Sequence, residues 1–418
     1  MMFNESTRKY ILLHADDDVR QLALQGTRDA AVDLAAALQQ IAGRQTARRK
    51  LPSWAAVDGI AYPPHLNMEQ CSSEPTARYK QRLVERLQGK HGGNDAGNPV
   101  EMGRFVDLTG GLGVDFYWMS QGFRERVYVE QDAALCDLAE HNFGLLGLAC
   151  SVHRGTASAY LAEMPAADVV YLDPARRDEH GGRTYGIGDC TPNVLELMPL
   201  LREKARCVVV KLSPMLDWRK AVGDVGGVGE VHIVSVGGEC KELLLVLTHE
   251  PAEAPTVYCV NDDSSFQFLP GGGAFCSSGW SNLLQGVEQS APGGGANSGD
   301  YLYEPNASIM KAGCFGEVER RYGVRQLSAN SHLFTSPVEI ADFPGRRFQI
   351  CAISSVNLRE VDAALEGQGR ANVAVRNFPM TVDALRRKLK LKDGGDRYLF
   401  ATTLADGSRR ALICRKIG

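Results

Sequence analysis

What this chain lacks narrows it first. Eleven cysteines are present in 418 residues, but the count is odd, the positions are scattered and no two stand as C-x-x-C. That argues against a disulfide framework and a structural zinc, and for free thiols in a reducing compartment. No apolar run approaches the roughly 20 residues that a membrane helix requires. The first residues lack the charged, apolar and small-residue order of a secretory leader. A cytoplasmic protein with no membrane partner is the expectation. Neither sign of charge is in large excess: 46 Lys and Arg face 50 Asp and Glu, a net of −4. The average conceals an asymmetry, because residues 339–418 hold 15 basic against 9 acidic side chains, a net of +6, which leaves −10 on the rest. A basic C-terminal module on an acidic body fits an anionic partner for that module. Chance variation in surface charge is the plainer alternative.

What is present has a recognisable order. Residues 8–48 repeat apolar side chains such as Ile11, Val19, Leu22, Val32, Leu38 and Ile41 at helical spacings, until Pro52, Pro63 and Pro64 break the pattern. A second helix is expected from Pro75 or Thr76 through Leu87, then a Gly/Asn-rich loop at 89–98. Strand patterns follow at 104–108, 126–130, 149–153, 168–172, 206–211, 230–236 and 242–248. Helical patterns at 115–122, 132–147, 156–163 and 193–204 alternate with the first of them. Such alternation predicts a parallel sheet covered on both faces. Only residues 237–241 separate the last two strands, too few for a crossover helix, so they should pair antiparallel. Residues 250–300 are weakly patterned, with glycine-rich tracts at 271–273 and 292–295. From 339 the order reads β-α-β-α-β-β, with strands at 347–353, 371–376, 397–403 and 409–415, helices at 357–366 and 381–391, and a hairpin turn at Asp406-Gly407.

The most informative stretch is Phe105-Val106-Asp107-Leu108-Thr109-Gly110-Gly111-Leu112-Gly113-Val114-Asp115. It reads as a strand that ends on an acid and turns through glycines into a helix, a turn that lets backbone approach a nucleotide-like ligand. The next strand ends on a second acid, Glu130. The motif is D-x-x-G-G-x-G rather than the G-x-G-x-x-G that seats a diphosphate on a helix N-terminus. Asp115 stands at the start of the helix, where an anion would repel a diphosphate but not a zwitterion or a cation. Asp107 can attract an ammonium group, and the two oxygens of Glu130 suit ribose hydroxyls. A tight strand-to-helix turn and nothing more is the plainer alternative for Gly110, Gly111 and Gly113.

With the antiparallel last strand, residues 101–249 resemble the class I S-adenosylmethionine-dependent methyltransferases. The resemblance implies an α/β fold with a Rossmann-like seven-stranded sheet and S-adenosyl-L-methionine as cofactor. It also implies a cofactor site made by Asp107, Thr109, Gly110, Gly111, Gly113 and Glu130, with Asp173 beside the methyl group. Thr156 follows the third strand where that family contacts adenine, although the usual acid is missing there.

The fourth strand runs into Asp173-Pro174-Ala175-Arg176-Arg177. An acid followed by proline at the C-terminal end of a strand faces the crevice of an open α/β sheet. Proline fixes the local backbone and removes a donor, so the carboxylate and carbonyls can be aimed at a substrate. Arg176 and Arg177 suit phosphate; a capping Asp-Pro turn with solvent-facing arginines is the plainer alternative. The stretch resembles the D-P-P-Y and D-P-P-R motifs of nucleic-acid base methyltransferases. That implies orientation of an exocyclic nitrogen by Asp173 and Pro174, although Ala175 replaces the second proline and no aromatic follows. A rival resemblance uses Lys211 at the end of the fifth strand and Glu242 at the start of the last. With Lys80 and Asp173 they match the lysine-aspartate-lysine-glutamate tetrad of ribose 2′-O-methyltransferases, in which a lysine deprotonates the hydroxyl. A structural ion pair between Lys211 and Glu242 is the plainer alternative. The polar segment from Glu69 to Lys80 either lines the substrate side or supplies Ser72 or Ser73 as a helix cap.

Finally, Arg376-Asn377-Phe378-Pro379 and the run from Leu385 to Phe400, preceded by Tyr301-Leu302-Tyr303-Glu304-Pro305-Asn306-Ala307, resemble the THUMP-like domain that accompanies a group of class I methyltransferases. By analogy with THUMP domains it implies RNA as partner. Leu385, Leu389 and Leu391 can pack inward and leave Arg386, Arg387, Lys388, Lys390 and Lys392 exposed as a phosphate-binding face; a merely solvated basic face is the plainer alternative. The expectation is therefore an enzyme of four parts: N-terminal helices (1–95), a methyltransferase domain (96–250), a Gly-rich linker and connecting segment (251–338) and an α+β THUMP-like domain (339–418). It would methylate structured RNA such as tRNA or rRNA, with a base nitrogen favoured over the ribose oxygen. A protein or small-molecule methyltransferase and a non-catalytic RNA-binding protein are the rivals.

Overall fold

The computed structural model describes residues 3–91, 102–176, 186–249, 252–270 and 296–418. Two compact units form: Met1–Val231 with Lys241–Pro255, and His232–Cys240 with Thr256–Gly418. In the first, Met102–Asp107, Phe123–Glu130, Ser151–Arg154, Ala167–Leu172 and Ala205–Leu212 run parallel, in the order third, second, first, fourth, fifth. Runs such as Val169-Val170-Tyr171-Leu172 and Cys207-Val208-Val209-Val210 are wholly buried, as β-branched strands covered on both faces should be. The last strand, Glu239–Thr248, lies antiparallel on the fifth, from Cys207 opposite Thr248 to Leu212 opposite Leu243. The preceding strand is Glu230–Val236, followed by Gly237 and Gly238. Helix Trp218–Val225, capped by Asp217, was not anticipated; it is only eight residues long.

The strand order reverses between the first and fourth strands, whose C-terminal ends meet at Asp107 opposite Tyr171. A crevice opens at such a switch point, and ligands of open α/β sheets bind there.

The helical pattern over 8–48 is three helices rather than one: Glu5–Leu13, Val19–Gln25 and Leu34–Lys50. Asp18 accepts from the N–H groups of Arg20 and Gln21, and Asp33 from that of Ala36, so each acid starts a new helix. Helix Glu74–His91 follows. Asn142 pairs both ways with the backbone of Ala61, at 2.9 Å each, and Gln40 does the same for Tyr62 at 2.8 Å. These side chains satisfy an extended segment that has no strand ladder, and they make the N-terminal helices part of the first unit.

The second unit holds a seven-stranded sheet in the order Arg325–Gln326, Phe334–Ser336, Tyr301–Pro305, Gly345–Ser355, Arg409–Ile417, Arg397–Thr403, Asn372–Arg376. The β-α-β-α-β-β order from 339 onward is formed. Helices Leu358–Ala364 and Val382–Leu389 bury Val361, Leu385 and Leu389 against Leu399 and Ile413, and a second core gathers Leu302, Phe348, Phe400 and Leu412. The weak pattern after 250 conceals a hairpin, Thr256–Asn261 with Ser264–Phe268, turned at Asp262. The glycine tracts 271–273 and 292–295 and most of the 89–98 loop lie outside the described residues. No helix among the described residues is long and apolar enough to cross a membrane.

Candidate active site

The glycine turn sits at the switch point. Asp107 Oδ1 accepts the Thr109 N–H at 2.9 Å. The Thr109 hydroxyl lies 3.4 Å from the same oxygen and accepts the Asp173 N–H at 2.6 Å, tying the tips of the first and fourth strands together. Glu130, on the neighbouring second strand, accepts the Gly111 N–H on one oxygen and the Asp132 N–H on the other, both at 2.9 Å. A carboxylate has about four acceptor directions, so each oxygen retains room for one more donor. The Gly155 N–H donates to the Glu130 carbonyl at 2.9 Å and brings Thr156 beside it, where the Thr156 hydroxyl caps helix Ala157–Glu163. Two glycines answer to the protein's own packing. A Cβ on Gly110 would stand 2.1 Å from the Tyr128 ring, and one on Gly113, at φ 82°, 2.5 Å from Phe143. Only glycine fits at either position, and the turn this makes is what leaves Asp107 and Glu130 at adjacent strand ends.

Burial pushes the Asp107 carboxyl well above its usual range, against the Thr109 N–H, and the charges of Asp115, Asp173 and Glu130 add to the rise. A positively charged ligand would relieve that repulsion, and a diphosphate would deepen it. Residues 107–115 contain acids and no base. This donor set fits S-adenosylmethionine, which carries a sulfonium and an ammonium.

Beneath the crevice five charged side chains from five separate segments meet. Lys80 Nζ lies 2.6 and 2.7 Å from the two oxygens of Glu242 and 3.1 Å from Asp115. Lys211 Nζ lies 2.5 Å from Asp173 and 3.6 Å from Asp115. Ser72 and Tyr171 each donate a hydroxyl to Asp115 at 2.7 Å. The charges thus run Glu242, Lys80, Asp115, Lys211, Asp173. Lys80 is fully buried, whereas the Asp173 side chain is 36 % exposed, so the row opens to the crevice at Asp173. Burial alone would raise the Asp115 carboxyl, but Lys80 and Lys211 outweigh it and hold the group at about 2. For Lys211 burial works against the ammonium, yet Asp173 and Asp115 together hold it well above the ordinary lysine range. Glu242 is raised by burial in spite of Lys80.

The structure therefore brings all four tetrad residues together and corrects three details. Lys211 pairs with Asp173 and Asp115, not with Glu242. Asp115 is no free anion at a helix start: its carboxylate is turned inward and shared by two ammonium groups. The Ser72 hydroxyl does not cap the helix that follows; it holds Asp115. The roles of Asp115, Ser72 and Tyr171 were missed because an acid in a first helical turn normally reads as a partner of the helix dipole.

The stretch after Pro174 turns back as a short ladder, Ala175–Arg176 against Cys190–Thr191. Arg177 and the side chain of Arg176 lie outside the described residues. In the second unit Leu385 and Leu389 are buried and Leu391 packs against the same core, while Arg387, Lys388, Lys390 and Lys392 are exposed. Arg386 differs: its guanidinium is committed to Asp393 and it is largely covered. Two of the three stretches that carried the THUMP-like resemblance meet at Glu304, a buried acid gripped by Arg376 at 2.8 Å and by Arg346 at 2.6 Å.

Comparison with known proteins gives the family. Residues 345–416 match the family described as THUMP domain-like, and residues 301–344 one described as a ferredoxin-like domain. The crystal structure of a provisionally named methyltransferase from Porphyromonas gingivalis W83 is 30% identical, superposes over 100% of both chains and gives a TM-score of 0.81. An uncharacterized S-adenosylmethionine-dependent methyltransferase of Mycobacterium tuberculosis is 25% identical over 83% of this chain and 87% of its own length.

Proposed function

This chain belongs to the class I S-adenosylmethionine-dependent methyltransferases with a C-terminal THUMP-like domain, and we propose that it methylates RNA, at a ribose 2′-oxygen. The THUMP-like match and the exposed Arg387, Lys388 and Lys390 support RNA as the acceptor. The observation that carries the choice of atom is the convergence of Lys80, Asp173, Lys211 and Glu242, residues from four distant parts of the sequence.

Asp107 and Glu130 would hold the amino-acid and ribose ends of the cofactor, with the backbone of the glycine turn and Thr156 beside them. When bound, S-adenosylmethionine supplies an electrophilic methyl group. Asp173, at the open end of the charged row, faces the crevice and accepts a hydrogen bond from the acceptor. Lys211, 2.5 Å behind it, receives the hydroxyl proton through the Asp173 carboxylate once it has lost its own, so the rate rises with pH. Pro174 has no N–H to compete for the acceptor.

One observation favours a base amino nitrogen as the second reading: Lys211 is held charged by two carboxylates, and an exocyclic amine needs only an acceptor such as Asp173 to orient it. Total RNA from a strain deleted for this gene, incubated with the enzyme and methyl-labelled cofactor, then hydrolysed in alkali, separates the two. Ribose methylation blocks cleavage and leaves label in dinucleotides. Label in mononucleotides supports the base nitrogen, and RNA that takes up no label sinks the RNA proposal.

A further inference from the structure

Asp115 belongs neither to the cofactor-binding set nor to the lysine-aspartate-lysine-glutamate resemblance, yet every part of the charged row passes through it. Without it the row would be two separate ion pairs, Lys80 with Glu242 and Lys211 with Asp173. With it, three carboxylates face two ammonium groups, and the two pairs become one network. Two hydroxyls at 2.7 Å, Ser72 from the segment before helix Glu74–His91 and Tyr171 from the fourth strand, fix the orientation of this carboxylate. Such doubly anchored groups set the direction and charge of the side chains they touch rather than meeting substrate themselves.

We infer that Asp115 is a positioning residue of the methyl-transfer reaction, acting through Lys211: it holds the ammonium against Asp173 and sets how readily Lys211 gives up its proton. This rests on the reading of Lys211 as the base. The groups that face Asp115 are Lys80 from its helix, Lys211 from the fifth strand, Tyr171 and Asp173 from the fourth and Asp107 from the first. Glu242 from the last strand and Cys71 beside Ser72 complete its surroundings. Nearly all are buried, so water screens a change of charge at Asp115 only weakly, and Lys211 feels most of it. Asp115 favours the charged form of Lys211, so removing its charge makes Lys211 easier to deprotonate.

The test is the pH–rate profile of the full-length enzyme with labelled cofactor and total RNA from a deletion strain, for wild type, Asp115→Asn, Asp115→Glu, Tyr171→Phe and Lys211→Ala. Asn keeps the shape and can still accept a hydroxyl. In Asp115→Asn the rising limb is expected to move to lower pH by about one unit, a roughly tenfold change in the deprotonated fraction. The plateau should fall about tenfold or more because Lys211 is less well held, with cofactor affinity from calorimetry within about threefold. Asp115→Glu, which restores the charge, should return the limb toward wild type. Tyr171→Phe removes a donor from the carboxylate and leaves Lys211 a larger share of it, so its limb should move the other way; this variant tests the inference even if Asp115→Asn does not fold. A limb that stays in place in the folded variants, whatever happens to the plateau, overturns the inference while an inactive Lys211→Ala leaves the base reading standing. Near-normal turnover in Lys211→Ala overturns the base reading itself.

Discussion

Lys80 and Lys388 are the same residue on helices of the two units, and they have nothing else in common. Lys80 is fully buried and surrounded by Glu242, Asp115 and Ser72. Lys388 is exposed on helix Val382–Leu389, whose Leu385 and Leu389 face the core. A buried charge must be compensated to within a few tenths of an ångström, because desolvating it costs several kcal/mol unless partners restore what water gave. An exposed charge has no such demand, and it acts by adding to a local potential that an anionic polymer can sample. One lysine is thus tied to precise geometry, the other to number and sign.

Substitutions can break that contrast or sharpen it. The largest effect belongs at the open end of the buried row. Asp173→Ala should reduce methyl transfer by roughly a thousandfold or more, with cofactor affinity by calorimetry changed less than about tenfold; turnover close to wild type would remove Asp173 from the mechanism. Next is Lys80→Ala, which strands Glu242 and Asp115 without a counter-charge. It should cost about 3–5 kcal/mol in denaturant unfolding, whereas Lys388→Ala should stay within about 0.5 kcal/mol. Equal midpoints for the two would erase the distinction.

The exposed helix answers to a different measurement. Replacing Arg387, Lys388 and Lys390 together by Gln should flatten the dependence of RNA affinity on salt by about two to three log units per log unit. Arg386→Gln alone should barely move it, since Asp393 already holds that guanidinium. An unchanged slope in the triple variant would refute the RNA face. The smallest effect is at low pH. Asp115 is held at about 2 in the folded chain against an ordinary value of 3.8. Its folded pKa is depressed, so its contribution to stability is complete above about pH 4 and disappears as pH falls through about 2. Melting temperatures of Asp115→Asn and wild type should therefore converge toward pH 2, and parallel curves would contradict the pairing.

Much of the fold was legible. The fourth strand, expected at 168–172, is Ala167–Leu172, and the fifth, expected at 206–211, is Ala205–Leu212, because apolar runs bounded by turn residues carry their own limits. The strand-tip acids Asp107, Glu130 and Asp173 were legible for the same reason: a position at a strand end is a local property. Less legible were features that depend on one side chain in a helical pattern. Asp18 and Asp33 look like helix residues in sequence and are N-caps in fact. The hairpin Thr256–Asn261 with Ser264–Phe268 has short strands and a turn residue, Asp262, that is not glycine, and the glycine tracts beyond it dominated the pattern.

The sequence by itself determined the alternation of strand and helix, the glycine turn between two acids, and the basic helix at the far end, since each rests on contacts between residues close in the chain or on periodicity alone. Only the tertiary structure decided which charges meet. Lys80 and Glu242 are 162 positions apart and lie 2.6 Å from one another, and Asp115 chose two lysines over the helix start where it sits. Electrostatic pairing falls off with distance in space and is blind to distance along the chain, so no local pattern announces it.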